Sequence, residues 1–301
     1  MGEKLTYCIA GHTVCIITEK PEVISKLLPG FRIFSNVQTD NISDLNIIIR
    51  LENGNSPIAG NPEDSIQIRT FEIDGGVCRF QRNEDNYFFS IEEPGGQCIL
   101  ECIMQRGSAD IQCHVQQQLV RPHHIKFAIW MCVAFFGIPR HIAPVHSSVI
   151  VYEERAVLFL GESGTGKSTQ TGLWLQHISG SFILNDDSPV LSVEDTVPYV
   201  YGSPWSGKGN KYFDEKYPVA AIVRIKQYPS NSLDKLSTIR AFGALYPSFP
   251  PAFLKDVFFE DHLCHMISLI LKTVPVYLLS CLPDRAAALL VKDTVFNRST
   301  D

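Results

Sequence analysis

From residue 4 to about residue 118 the apolar residues fall in short runs, "LTYCIA", "TVCIIT", "LNIIIRL", "IQIRTFEI", "VCRFQR", "NYFFSI" and "QCILECIM". The breaks include "PG" at 29, "NGN" at 53, "DGG" at 74 and "PGG" at 94. Glycine supplies the positive φ that turns between strands need, so this half is predicted to be mostly β. The period changes in "RPHHIKFAIWMCVAFFGIPR", where the apolar residues between Pro122 and the "GIP" at 137 predict a buried helix. The domain boundary is therefore expected there, with a β-rich N-terminal domain over 1–120 and a second domain over 121–301.

Beyond the boundary, "VHSSVIVY" and "RAVLFLG" read as adjacent strands and "KSTQTGLWLQHI" as the helix that follows the second. "SFILNDDSPVL" reads as one further strand with two acids toward its far end. A loop with "GSPWSGKGN", a strand "VAAIVRIKQY", a proline-punctuated helical stretch, a late strand "VPVYLLSCL" and a short helix "PDRAAALLVKDTV" complete the chain. The predicted class is α/β, with a strand–loop–helix domain after a mostly β one.

Composition narrows the function classes. No window of the 301 residues approaches the roughly 18–20 consecutive apolar positions of a membrane span. The first residues carry charges at Glu3 and Lys4 but lack a long apolar stretch followed by a small-residue cleavage site, so no secretory leader is expected. Nine cysteines, an odd number without a CxxC pair, argue against a disulfide framework and a zinc site, so reduced thiols in the cytoplasm are expected. Residues 1–120 carry 9 Lys and Arg against 16 Asp and Glu, net −7, and residues 121–301 carry 17 against 16, net +1. Neither half has the basic stripe that a nucleic-acid backbone requires.

The candidate chemistry lies in "GESGTGKST": Gly161, Glu162, Ser163, Gly164, Thr165, Gly166, Lys167, Ser168 and Thr169. Gly161, Gly166, Lys167 and Ser168 match the Walker A pattern G-x-x-x-x-G-K-[ST], after an apolar strand and before a helix, as the pattern demands. Glycines let backbone N–H groups converge on phosphate oxygens at the positive end of the helix. Lys167 is expected to reach the β and γ phosphates of ATP, and the Ser168 hydroxyl to hold Mg²⁺. Ser163 is most simply a turn residue. Asp186 and Asp187 in "FILNDD" offer a carboxylate for the metal and a base, although Asn185, Asp186 and Asp187 also suit a turn or a helix cap.

"VHSSVIVYEERAVLFLGESGTGKST" followed by "ILNDDSPV" resembles the catalytic domain of HPr kinase/phosphorylase, a family related in fold to phosphoenolpyruvate carboxykinase. The resemblance covers residues 141–195 well and 219–279 loosely. It implies ATP and Mg²⁺ as cofactors, with Lys167 and Ser168 serving them, Asp186 as metal ligand, Asp187 as the base that takes the acceptor's proton, and His146 beside the site. It also implies an oligomer, since that family is often hexameric. A family arginine aligns with Lys235, which keeps the charge but lacks the guanidinium fork, and Arg224 is the substitute within reach of the alignment. The family's glycine-rich segment with a metal-binding Glu is absent. "YGSPWSGKGN" stands in its place and resembles a loop of uncharacterised bacterial relatives, where Ser206, Gly207 and Lys208 offer phosphate contacts beside Trp205.

The expected function is thus an ATP-dependent kinase acting on a hydroxyl of a protein, peptide or small molecule, but not on HPr. The alternative is a non-catalytic ATP-binding sensor, and a carboxykinase is suggested by fold kinship alone. Outside the loop, His262 and His265 lie three apart on a predicted helix and offer two imidazoles, with no third ligand nearby in sequence.

Overall fold

The computed structural model describes residues 2–35, 47–53, 65–116, 118–207 and 212–297. Its backbone is mixed α/β and divides into a first unit, residues 1–140 with 252–259, and a second, 141–251 with 260–301.

The first unit is built on strands β1 (Glu3–Ile9), β2 (His12–Thr18), β3 (Ile47–Asn53), β4 (Ile66–Ile73), β5 (Gly76–Arg82), β6 (Asn86–Glu92), β7 (Cys98–Gln105) and β8 (Asp110–Val115). They form one sheet in the order β1-β2-β3-β8-β7-β6-β5-β4, parallel at β2–β3 and β3–β8 and antiparallel elsewhere. Seven of the eight strands match the apolar runs. The eighth, "DIQCHV", buries Ile111, Cys113 and Val115 on alternate positions, a period-2 signal too short to stand out. A short helix α1 (Pro21–Leu27) follows β2 and begins on a proline, which suits the first helical position.

The register of β7 and β8 sets Cys102 opposite Cys113, with Cα atoms 4.1 Å apart, and a disulfide joins them. The expectation of reduced thiols throughout is corrected at this pair. Spacing along the chain does not reveal it, because sheet register alone brings the two together.

The helix expected after Pro122 is α2 (Pro122–Gly137). Ile125, Ile129, Cys132, Val133 and Phe136 are among its many buried residues, and it packs on β3 and β7. Burial on that sheet places α2 in the first unit, so the division falls after Arg140, whereas the change of period suggested residue 120.

The second unit contains β9 (Ile142–Pro144), β10 (Ser147–Tyr152), β11 (Arg155–Leu160), α3 (Lys167–His177), β12 (Phe182–Asp187), β13 (Val190–Glu194), β14 (Val197–Tyr201), β15 (Lys216–Gln227), β16 (Ser232–Lys235) and α4 (Thr238–Leu245). Helix α5 (Val257–Thr273), whose first turn is counted with the first unit, leads to β17 (Val276–Cys281) and α6 (Arg285–Phe296). The long strand β15 joins two branches. Its first residues pair with β14, which continues to β13 and β9, and its later residues lie parallel to β11 and β17. Strands β10 and β12 extend the sheet beyond β11, and β16 lies antiparallel to β17. The single strand expected over "SFILNDDSPVL" is therefore two, β12 and β13, which serve different branches of the sheet.

Every residue of β11 except Arg155 is buried, which accounts for its unbroken apolar run. Val157, Phe159, Val223 and Leu279 of the sheet pack with Trp174 of α3 and Ala288 and Val291 of α6. This core fixes α3 on the sheet, and with it the loop that precedes α3.

Candidate functional site

Strand β11 ends at Leu160 and the chain turns through Gly161–Gly166 into α3, which starts at Lys167. Gly166, at the cap, has φ +107°, a left-handed backbone that L side chains rarely adopt. Within the loop, Thr165 donates from its backbone N (3.2 Å) and from Oγ1 (2.8 Å) to the Glu162 carbonyl. The loop is thus preformed by its own hydrogen bonds. Glu162 and Ser163 point outward, and Ser168 and Thr169 are exposed in the first turn of α3.

Sheet register gathers the rest. Strand β10 runs antiparallel to both β11 and β12, with Ser147 opposite Leu160 on one side and Asp187 on the other, and Ser148 opposite Asp186. The start of β10 and the ends of β11 and β12 therefore lie level beside the loop. His146, Lys167, Ser168, Asp186 and Asp187, which the sequence singled out, are brought together there.

Lys167 Nζ donates to the Gly161 carbonyl at 2.8 Å and the Glu162 carbonyl at 3.2 Å, and contacts His146 Nε2 at 3.0 Å. An ammonium only donates, so His146 accepts at Nε2 and carries its proton on Nδ1. That nitrogen lies 3.6 Å from Asp187 Oδ1, and both side chains are 49% exposed, open to an incoming molecule. Burial pushes the Lys167 pKa below the ordinary lysine value, opposed by the charges of Asp187 and Asp186 and reinforced by Arg224.

Asp186 faces the other way. Its Oδ1 accepts from Ser168 Oγ at 3.0 Å and from the buried Ser148 Oγ, which is also 3.3 Å from Thr171 Oγ1. Asn185, completely buried, separates structure from chemistry in this triplet. Its Nδ2 donates to the Ser203 carbonyl, Ser203 Oγ and the Trp205 carbonyl, while its Oδ1 accepts from the backbone of Asp187 and Ser188. Asn185 makes the turn, and the two carboxylates are left to point at the loop.

The segment 202–207 lies against this turn. A Cβ on Gly207 would come within 2.5 Å of the Asp186 carbonyl oxygen, so only glycine permits the approach. Trp205 is buried, and Ser206 is adjacent in the same segment. Lys208, the remaining candidate, lies outside the described residues.

Lys235 is not brought to the cluster. It sits at the end of β16, exposed, three strands from β11, or about 14 Å across the sheet. Arg224 occupies the nearer position. It is opposite Leu160 in the β11–β15 register, its Nη1 donates to the Ala244 carbonyl at 3.1 Å, and its Nη2 is 4.0 Å from Glu162 Oε1. Sheet order makes Arg224 the nearer cation, since β15 adjoins β11 and β16 lies beyond β17. Ser148 was missed entirely. Its only signal in the sequence is its place two residues after His146, which in a strand puts both side chains on one face.

On the far side of the loop is a cavity of about 580 Å³ lined by Gly164, Gly166, Thr169, Gln170, Tyr228 and Pro283 among others. Gln227 Nε2 donates to the Gly164 carbonyl at 3.2 Å at its edge.

No family model matches the chain, and no curated protein matches it. Among the described residues, no helix is long and apolar enough to cross a membrane. Among solved structures the chain is similar to the Hpr(Ser) kinase/phosphatase from Coxiella burnetii, at 16% identity and a TM-score of 0.30, over 51% of this chain and 88% of that one.

Proposed function

We propose that this protein is an ATP-dependent phosphotransferase that moves the γ-phosphoryl group of ATP to a hydroxyl of a protein, peptide or small molecule other than HPr. The observation that carries the reading is the arrangement around Lys167. A carboxylate and an imidazole adjoin it on one side, at Asp187 and His146, and a second carboxylate, Asp186, adjoins the Ser168 hydroxyl on the other.

Each residue has a task in that reaction. Backbone N–H groups of the loop and Lys167 bind the phosphates, and Arg224 adds charge where the transferred group becomes more negative. Ser168 Oγ and the Asp186 carboxylate are hard oxygen donors held together, the ligand type Mg²⁺ takes; bound there, the ion neutralises phosphate charge. Ser148 orients Asp186 by donating to the same oxygen that Ser168 uses. Asp187 takes the proton of the acceptor hydroxyl as its oxygen bonds to the γ phosphorus, and the bond from that phosphorus to the β–γ bridging oxygen breaks to release ADP. The cavity beside Gly164 and Tyr228 has room for a nucleoside.

The test is turnover of labelled ATP with Mg²⁺, with water as the default acceptor, by the natural protein and by Asp187→Asn. Turnover that collapses in the variant while nucleotide binding persists supports the reading. Tight ATP binding without turnover in the natural protein overturns it in favour of a sensor.

A further inference from the structure

The first unit holds a pocket that the proposed reaction does not use. It has a volume of about 350 Å³, and Arg106, Phe135, Phe136, Arg140, Phe258 and Phe259 are among the residues that line it, all of them within that unit. Three segments meet there. The turn between β7 and β8 brings Arg106, the end of α2 brings Phe135 and Phe136 with Arg140 just beyond, and the first turn of α5 brings Phe258 and Phe259.

The two arginines are charged groups without a countercharge. Arg50, Arg79 and Arg82 of the same unit are each paired with a carboxylate, at Asp110, Glu92 and Asp256. Among the described residues, neither Arg106 nor Arg140 forms an ion pair, yet both are held in place. Arg106 Nη2 donates to Tyr87 Oη at 2.9 Å, and its Cζ lies 4.6 Å from the Phe258 ring centroid and 5.6 Å from that of Tyr87. Arg140 Nη1 donates to the Phe136 carbonyl at 2.8 Å, and its Cζ lies 3.8 Å from the Phe136 ring centroid. Stacking on a ring fixes the plane of a guanidinium without consuming its N–H groups, and each of these hydrogen bonds uses one of five. Both side chains are exposed, so the remaining donors are open to an anion arriving from solvent.

The floor between them is apolar and rigid. Phe135 and Phe259 are buried with ring centroids 5.3 Å apart, and each meets Tyr87 edge to face. Asp256 Oδ1 accepts from the backbone N of Phe258 at 3.1 Å and of Phe259 at 3.4 Å, so those amides are already taken and the arginines are the donors left for a ligand. Residues 1–120 carry a net charge of −7, so the field of this region does not gather anions. Binding has to come from contact with the two guanidiniums together with burial of an apolar body. We infer that this pocket binds a small organic acid, a carboxylate carried on an aromatic or branched apolar body. The body lies on Phe135 and Phe259, and the planar carboxylate meets the fork of donors that Arg106 and Arg140 present. A volume near the lower end of ligand pockets limits that body to about one ring. The site does not rest on the kinase reading.

The experiment is an NMR titration of the whole protein with phenylacetate, following the side-chain N–H signals of the arginines. The expected result is saturable binding that moves the signals of Arg106 and Arg140. Phenylacetamide, which keeps the ring without the charge, and acetate, which keeps the charge without the ring, are each expected to bind about tenfold more weakly or worse. Arg106→Gln and Arg140→Gln, both at exposed positions, are each expected to weaken phenylacetate binding about fivefold or more. The Arg140 variant leaves the contact with Tyr87 intact, and so separates loss of the ligand from disturbance of the floor. Absence of saturable binding, equal binding of phenylacetamide, undiminished affinity in Arg140→Gln, or tighter binding of phenyl phosphate than of phenylacetate each overturns the assignment.

Discussion

Lys167 Nζ lies 3.0 Å from His146 Nε2, and this contact ties the first residue of α3 to the strand end beside Asp187. A lysine already drawn toward carbonyls and an imidazole, with its pKa lowered by burial, gains most from an anionic ligand that replaces those partners. Lys167→Ala is therefore expected to weaken ATP·Mg²⁺ binding at least tenfold, about 1.4 kcal/mol or more. Calorimetry with circular dichroism as the fold control measures it, and unchanged affinity in a folded variant would remove the loop from the function.

Asp187→Asn keeps the shape of the side chain but removes its basicity. Turnover is expected to fall by about 10²–10⁴ while nucleotide affinity changes little. Asp186→Asn acts differently, because its carboxylate meets Ser168 and Ser148, and it is expected to raise the Mg²⁺ concentration needed for half-maximal rate. Ser148→Ala shifts the same Mg²⁺ dependence by a smaller amount. Steady-state rates at varied Mg²⁺ separate the two carboxylates, and equal behaviour of both variants would refute their division of labour.

What could be read from the sequence follows from what is contiguous in it. The glycine loop, its strand and its helix occupy one short stretch, so residue type and order were enough to find Gly161–Thr169. Asp186 and Asp187 were visible as acids at the end of an apolar run, and the structure adds why they differ from Asn185, whose amide is consumed by Ser203 and Trp205. The contact of Ser148 with Asp186 and the place of Arg224 beside the loop come from pairing between strands, which the local pattern does not give. The same holds for the pairing of Cys102 with Cys113 and for the unit to which α2 belongs, since α2 packs on the sheet that precedes it.

The core below the loop is expected to control both stability and binding. Trp174 is completely buried and makes edge contacts with Phe159, Tyr152 and Phe296. Trp174→Ala leaves a cavity where α3 rests on the sheet and is expected to cost about 3–5 kcal/mol. Denaturant unfolding followed alongside nucleotide binding checks it, and a loss under about 1 kcal/mol would mean that the site collapses around the gap.

Acidification gives an independent check. Burial lowers the His124 pKa below the ordinary histidine value, with His123 and Arg121 acting the same way and Asp74 opposing. The unfolded chain then binds a proton near pH 6.5 that the folded chain does not yet accept. Stability from this group is complete above pH 6.5 and is lost as the pH falls below it toward the lowered folded value; His141 behaves likewise. Urea midpoints are expected to drop between about pH 7.5 and 5.5, and to drop less in His124→Gln. A flat profile in the natural protein would contradict the lowered values.

The segment against the Asp pair gives a test of the proposed acceptor. Gly207 approaches the Asp186 carbonyl so closely that no side chain fits between them, and Trp205 is held by Asn185 and Ser188 through its carbonyl. The segment thus lies beside Asp187, and its sequence, "GSPWSG", is not the glycine-rich Glu segment that the resemblance to HPr kinases would lead one to expect. Lys235 stands away from the loop and offers no second cation to capture inorganic phosphate. Incubation with labelled ATP, Mg²⁺ and purified HPr is expected to give no phospho-HPr, and phospho-HPr with phosphate is expected to release no pyrophosphate. Nucleotide binding by Lys167 and turnover dependent on Asp187 are expected to persist in the same preparation, because neither residue depends on the segment for its contacts within the loop. Efficient transfer in either direction would show that the segment does not select the acceptor.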